Sequence, residues 1–262
     1  MKTYLTVRGT AEPHNKKTTM LGQVATQVNG LVDWVDVDYP ASIAVFNPQG
    51  TPTGVSEAQS RAIGVANLAA EIRRTPNDVI LSGYSLGALV VSDLLAAKAR
   101  GDFSDCFVDA VVNIANPARR PGQSYGRPSF GFGLDGPHAP WPTGLPTFEI
   151  ANPVDGITSA PANSPWRAFA GAIRKLSVSV QSLDAWFADL IRQLDDFERA
   201  LIPTQWTDQA FWQAWAEAPA WLRGYLFDGQ HTAAYGDAKW YDSSGHAVNG
   251  VQLAASVVKL HA

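Results

Sequence analysis

Gly83, Ser85 and Gly87 stand in the order Gly-x-Ser-x-Gly within Ser82-Gly-Tyr-Ser-Leu-Gly. A serine hydroxyl is a weak nucleophile until a neighbouring base takes its proton, and it must stand clear of its own backbone. A strand that reverses into a helix through one tight turn provides the second condition. It strains the apex residue, and side chains at the flanking glycine positions would collide with the strand or block the hydroxyl. The context is present here: Asp78-Val-Ile-Leu81 reads as a buried strand, and an apolar helical pattern runs from Leu86 to about Arg100. The N-terminus of that helix favours negative charge developing beside Ser85. The predicted chemistry is nucleophilic attack by the Ser85 hydroxyl.

The attack needs a base, and the base needs an acid to orient it. Five histidines are available: His14, His138, His231, His246 and His261. Where such elbows occur in α/β-hydrolases, the chain order is serine, acid, histidine. That order excludes His14, and a base placed after the last strand disfavours His138. His261 sits at the terminus. His231 and His246 remain, and His231, in Gln230-His-Thr-Ala-Ala-Tyr235-Gly236, is preferred; His246 is expected at the start of a terminal helix. Asp155 is the expected acid, because it follows the last predicted strand and precedes Gly156. Asp135 and Asp184 are weaker candidates, one lying before that strand and the other on a helix. The oxyanion of an acyl-transfer intermediate is expected to meet the backbone N–H of Leu86 and one from the Gly9-Thr10 turn.

The elements that must position these residues read as an alternation. Tyr4 to Val7 is a β-rich strand ending in Arg8-Gly9-Thr10, and Ser42 to Phe46 is predicted as a second buried strand. Ser56 caps a helix running to Arg74, with Ile63, Val65, Leu68 and Ile72 along it. Phe107 to Ile114 and Pro146 to Ala151 are further strands, separated by a glycine- and proline-rich loop over 118–146. Val248 to Leu260 is an amphipathic terminal helix. Apolar strands alternating with helices predict a mainly parallel sheet covered on both faces, with the functional crevice at the carboxyl ends of the strands. Gly9-Thr10, Ser85 and Asp155 then share one edge.

The character changes between the last strand and His231. Six of the nine tryptophans (Trp166, Trp186, Trp206, Trp212, Trp215 and Trp221) fall in one helical stretch. The predicted organisation is a hydrolase core of 1–160 and 228–262 with a helical cap over 161–227. A subset of the cap aromatics is expected to line an acyl-chain groove or to touch a lipid surface.

Composition excludes other classes. A net charge of −4 gives no footprint for nucleic acid. No apolar run is long enough to span a bilayer, and the first residues are too polar for a signal peptide. The single cysteine, Cys106, rules out an internal disulfide and is expected as a small core residue. Neither metal nor organic cofactor is implied.

Ser82-Gly-Tyr-Ser85-Leu-Gly, Val7-Arg-Gly-Thr10, Asn116-Pro117, Val154-Asp155-Gly156 and a long helical segment before the histidine resemble the lysin B esterases of phages that infect mycobacteria. Those enzymes are similar to cutinases, and His231-Thr-Ala-Ala-Tyr235-Gly236 looks like the cutinase-type histidine loop. The resemblance implies an α/β-hydrolase that cleaves the ester between mycolic acids and arabinogalactan, with Ser85 as nucleophile, Asp155 as acid and His231 as base. A monomer is expected, and the lack of disulfides and of a signal peptide suits a phage protein kept in host cytoplasm until lysis and acting then on a lipid ester of the envelope. No separate peptidoglycan-binding domain is expected. Two departures stand out. Leu86 follows the nucleophile where these relatives usually carry glutamine, and Arg8 stands where histidine is common, which is expected to alter substrate contacts.

Overall fold

The computed structural model describes residues 1–44, 46–51, 54–162, 164, 167 and 229–262. Five parallel strands form the central sheet in the order β2-β1-β3-β4-β5. They are β1 (Lys2–Val7), β2 (Val32–Asp36), β3 (Val79–Tyr84), β4 (Ala110–Ile114) and β5 (Thr147–Ile150). Helices α1 (Met20–Gln27) and α4 (Gly250–His261) pack on one face, through a core that includes Leu21, Val24, Leu253 and Val257. Helices α2 (Glu57–Arg74) and α3 (Leu86–Ala99) cover the other, through Leu68, Ile72, Leu89, Leu94 and Leu95. This is the doubly covered parallel sheet of the α/β-hydrolase fold. A small antiparallel hairpin, β6 (Trp240–Tyr241) with β7 (Ala247–Val248), precedes α4.

Local chemistry explains most of these elements. Ser56 caps α2 reciprocally with Gln59, and Asn249 caps α4 in the same way with Gln252. All six residues of β3 are buried, as a central strand requires. Helix α3 is apolar nearly all round and has only one partly buried position, Asp93, outside its last turn, because the sheet, α2 and neighbouring loops enclose it. Gly64 lets α2 and α3 approach: a Cβ there would lie 2.8 Å from Val90.

Three expectations require correction. The second strand is Val32–Asp36, whereas Ile43 and Phe46, in the expected strand, instead form an isolated antiparallel bridge with Ala44 in a turn. Ala41 and Ala44 there take φ of 50° and 51°, which no strand allows, and the Asn47 amide bonds Ala44 O and Thr51 O across the turn. Strand β4 begins only at Ala110, and Phe107 is exposed. Ile63, predicted on the apolar stripe of α2, is also exposed, while Gly64, Leu68 and Ile72 carry the contact. Cys106 is buried, with Sγ facing Ala69 O at 3.8 Å. The stretch 118–146 lacks regular elements but is pinned by Arg119. That side chain is fully buried and donates to Thr158 O, Gln123 O, Phe130 O and Gly131 O. The cap expected over 161–227, with its six tryptophans and Asp184, lies outside the described residues apart from 161, 162, 164 and 167. Among the described residues, no helix is long and apolar enough to cross a membrane.

Candidate active site

Strand β3 enters the elbow at Tyr84 and leaves it as α3. Ser85 sits at the apex with φ 51° and ψ −117°, a region that costs a non-glycine residue about 1–3 kcal/mol. The turn survives because its surroundings allow nothing else. The Ser85 N–H donates to Ile114 O on β4 at 3.1 Å, and Ala88 N–H closes back on Ser85 O at 2.9 Å. A Cβ on Gly83 would lie 2.5 Å from Ala88 Cα, and one on Gly87 only 1.9 Å from Val7 O. The two flanking glycines therefore let α3 start directly against the ends of β3 and β1.

Ser85 is half-buried and meets an imidazole. Its Oγ lies 2.7 Å from His231 Nε2, and His231 Nδ1 lies 2.8 Å from Asp155 Oδ2. A neutral imidazole donates from one nitrogen only, and a carboxylate can only accept. The proton therefore sits on Nδ1, and Nε2 carries the lone pair that accepts the Ser85 O–H. His231 and Asp155 are both buried. Asp155 lies in the turn after β5, held by Ile157 N–H on its Oδ1 at 2.9 Å and by the Tyr235 hydroxyl on its Oδ2 at 3.0 Å. Tyr235 in turn accepts Asn152 N–H at 3.0 Å and stacks on Trp240. Burial and the nearby Asp155 push the Tyr235 hydroxyl well above its ordinary range, so it stays a donor.

His231 is held from a second side by Tyr84. The Tyr84 hydroxyl donates to His231 O at 2.8 Å, and the two rings stack with centroids 5.9 Å apart. The Asn152 amide ties the same loop down by donating to Gln230 O at 3.0 Å. Tyr84, Tyr235 and Asn152 escaped the sequence reading, although Tyr84 lies inside the elbow motif and Tyr235 inside the histidine loop.

The other candidates are placed elsewhere. His246 is exposed in the turn between β6 and β7, not at the start of α4, and its Nδ1 faces Asp242 Oδ2 at 3.5 Å. His138 stacks on Trp141 with centroids 3.8 Å apart, and burial lowers it to about 4. Asp135 pairs with Arg61 at 3.3 Å. Among the described residues, no group of three or more His, Cys, Asp or Glu side chains could hold a metal ion.

The turn after β1 differs in detail from expectation. Gly9 N–H is engaged, donating to Glu12 Oε2 at 2.8 Å. Among the described residues, the N–H groups of Leu86 and Thr10 have no acceptor, which leaves those two to meet an oxyanion. Burial pushes the Glu12 carboxyl up, against the lowering effect of N–H donors from Met20 and Gly9. Arg8 is buried with its guanidinium on Glu12 O, Val37 O and Tyr39 O, so it braces the turn and does not reach out to substrate.

The PE-PPE domain family matches residues 32–173, just over half of the sequence. The chain belongs to the PE-PPE domain family. The PE-PPE match contains Ser85 and Asp155, and the fold brings His231 to them from beyond it. Among solved structures, lysin B from Mycobacteriophage D29 is similar at 18% identity with a TM-score of 0.60, covering 98% of this chain and 99% of that one. The catalytic core domain of acetyl xylan esterase from Trichoderma reesei is similar at 17% identity with a TM-score of 0.50, covering 66% of this chain and 95% of that one. At such identities the likeness establishes the α/β-hydrolase fold. No curated protein matches the sequence.

Proposed function

We propose that this PE-PPE family member is a serine esterase, with Ser85 as nucleophile, His231 as general base and Asp155 as its orienting acid. The observation that carries the reading is the 2.7 Å contact from Ser85 Oγ to His231 Nε2, backed by Asp155 at 2.8 Å. Ser85 Oγ attacks the ester carbonyl carbon while His231 Nε2 takes the hydroxyl proton. The tetrahedral oxyanion is held by the N–H groups of Leu86 and Thr10, a contribution of about 3 kcal/mol for each well-placed donor. As the intermediate collapses, the bond to the leaving oxygen breaks and His231 returns the proton to it, releasing the alcohol. Water, deprotonated by His231, then attacks the acyl-enzyme. The acid leaves and Ser85 regains its proton. Leu86 contributes only its backbone, since its side chain is buried.

The substrate in this reading is the ester between mycolic acids and arabinogalactan, cleaved after release from host cytoplasm during phage lysis. It is supported by the motif order described above and by a likeness in fold to a lysin B over 98% of this chain and 99% of that one. The Ser85→Ala variant is expected to lose at least about 1,000-fold in hydrolysis of medium-chain p-nitrophenyl esters. Full activity in that variant would overturn the proposal. Mycolate release from isolated cell walls, compared with triglyceride hydrolysis, tests the substrate. Preference for triglyceride would point to a cutinase-like lipase. Cell-wall binding without labelling by a fluorophosphonate would point to a lipid-binding relative.

A further inference from the structure

The turn after β1 is built around a residue that the hydrolytic mechanism does not use. Gly9, Thr10, Ala11 and Glu12 form a tight reversal in which Glu12 N–H closes on Gly9 O at 3.3 Å. Ala11 sits at φ 60°, a left-handed conformation that costs an alanine about 1–2 kcal/mol and persists only when its neighbours enforce it. Glu12 supplies much of that enforcement. One carboxylate oxygen takes Gly9 N–H at 2.8 Å, and the other takes Met20 N–H at 2.8 Å at the start of α1. Its main-chain carbonyl accepts Arg8 Nε at 2.9 Å. Ala11 N–H is used as well, on Ala41 O at 2.8 Å. Of the four N–H groups in the reversal, Thr10 alone has no acceptor among the described residues.

The reversal also lies against the elbow. A Cβ on Gly87, two residues beyond Ser85, would lie 2.6 Å from Arg8 O, and one on Gly9 would strike the Tyr84 ring at 2.6 Å. We infer that Glu12 is a positioning residue for the oxyanion-binding turn, clamping Gly9 and the strained Ala11 so that the Thr10 N–H is presented to the intermediate. The inference rests on the esterase reading and extends it to a side chain that touches neither substrate nor Ser85. An acceptor-only side chain suits the role. It bonds two N–H donors at once and leaves Gly9 N–H no freedom to compete with Thr10.

A donor mispositioned in this way affects the intermediate more than the bound ester, so the loss belongs in kcat and not in KM. Glu12→Ala, which removes both acceptors, is expected to lower kcat on a p-nitrophenyl ester by on the order of 100-fold, with KM within about twofold, and to slow fluorophosphonate labelling in parallel. Glu12→Gln keeps one acceptor and is expected to fall between that variant and wild type. Thr19→Ala is the control for a purely structural effect. It removes the side-chain cap on Gly22 N–H at α1 without touching the turn, and is expected to lower Tm while leaving kcat unchanged. A Glu12→Ala variant that is folded and labelled at the wild-type rate overturns the inference, as does a kcat loss in Thr19→Ala equal to that in Glu12→Ala. Failure of the wild-type protein to react with the fluorophosphonate at all overturns the esterase reading itself.

Discussion

Asp155 and Glu149 are buried carboxyl groups six residues apart, and the fold treats them oppositely. Asp155, in the turn beyond β5, receives a donor on each oxygen: Ile157 N–H on Oδ1, and the Tyr235 hydroxyl together with the His231 imidazole on Oδ2. Glu149, on β5 itself, has Oε1 occupied by the amides of Asn113 and Asn116 at 3.0 and 3.1 Å. Its Oε2 has no partner among the described residues. Burial pushes Glu149 up to about 7, against the pull of those two amides and of Arg119. Burial is therefore not what equips a carboxylate to orient an imidazole; a full complement of donors, one of them the imidazole, does that. Glu149 instead joins β5 to β4 and, through Asn113 Oδ1, to the Gly83 N–H at the base of the elbow.

The largest expected effect comes from removing the donor relationship at Asp155. Asp155→Asn puts an amide against His231 Nδ1 and favours the wrong tautomer, so kcat on a p-nitrophenyl ester is expected to fall by on the order of 1,000–10,000-fold with Tm little changed. A loss of less than tenfold would break the comparison.

Glu149 tests its other half through stability. Its ordinary value is 4.5 and its folded value about 7. Below pH 4.5 the carboxyl holds its proton folded or unfolded, and above about 7 it has lost it in both states. Between those limits only the folded protein keeps the proton, so this group's contribution to stability falls as pH rises, by at most on the order of 3 kcal/mol. Glu149→Gln is expected to remove that component of the pH dependence while sparing kcat at pH 7. Denaturant midpoints measured across pH 4–8 for both proteins provide the check, and identical slopes would count against it.

The smallest effect is expected at the shared boundary of the site. Tyr235→Phe deletes one donor to Asp155 and leaves the buried Asn152 N–H without its acceptor, which costs about 1–3 kcal/mol of stability. The fall in kcat is expected to stay below about tenfold, since Ile157 N–H and His231 remain on Asp155. A loss as large as that of Asp155→Asn would mean that Tyr235 takes part in the proton transfer itself.

How far the sequence discloses this arrangement depends on whether a signal is local. The elbow was legible because strand, glycines and helix are contiguous, and α2 because a Ser56 cap stands directly before its apolar pattern. Strand β2 was not, because an edge strand punctuated by Asp33 and Asp36 lacks the apolar run that marks a central one. Helix α1, only eight residues long, offered little more than its Thr19 cap. The positions of Ser85, Asp155 and His231 could be ordered from the topology of the fold. Glu12, Tyr84, Glu149 and Tyr235 could not be assigned roles, since most of what they hold lies on other elements and leaves no spacing to read. Segment 161–227 offered the strongest compositional signal and falls almost wholly outside the described residues.

The hydroxyl of Tyr84 on the His231 carbonyl has a consequence for how such a molecule can diversify. Ser85 and His231 are 146 residues apart in the chain, yet the spacing between them is gauged by the side chain immediately preceding Ser85. A change at residue 84 therefore moves both ends of the Ser85–His231 contact together, so the elbow and the histidine loop diversify as a unit or lose their registry.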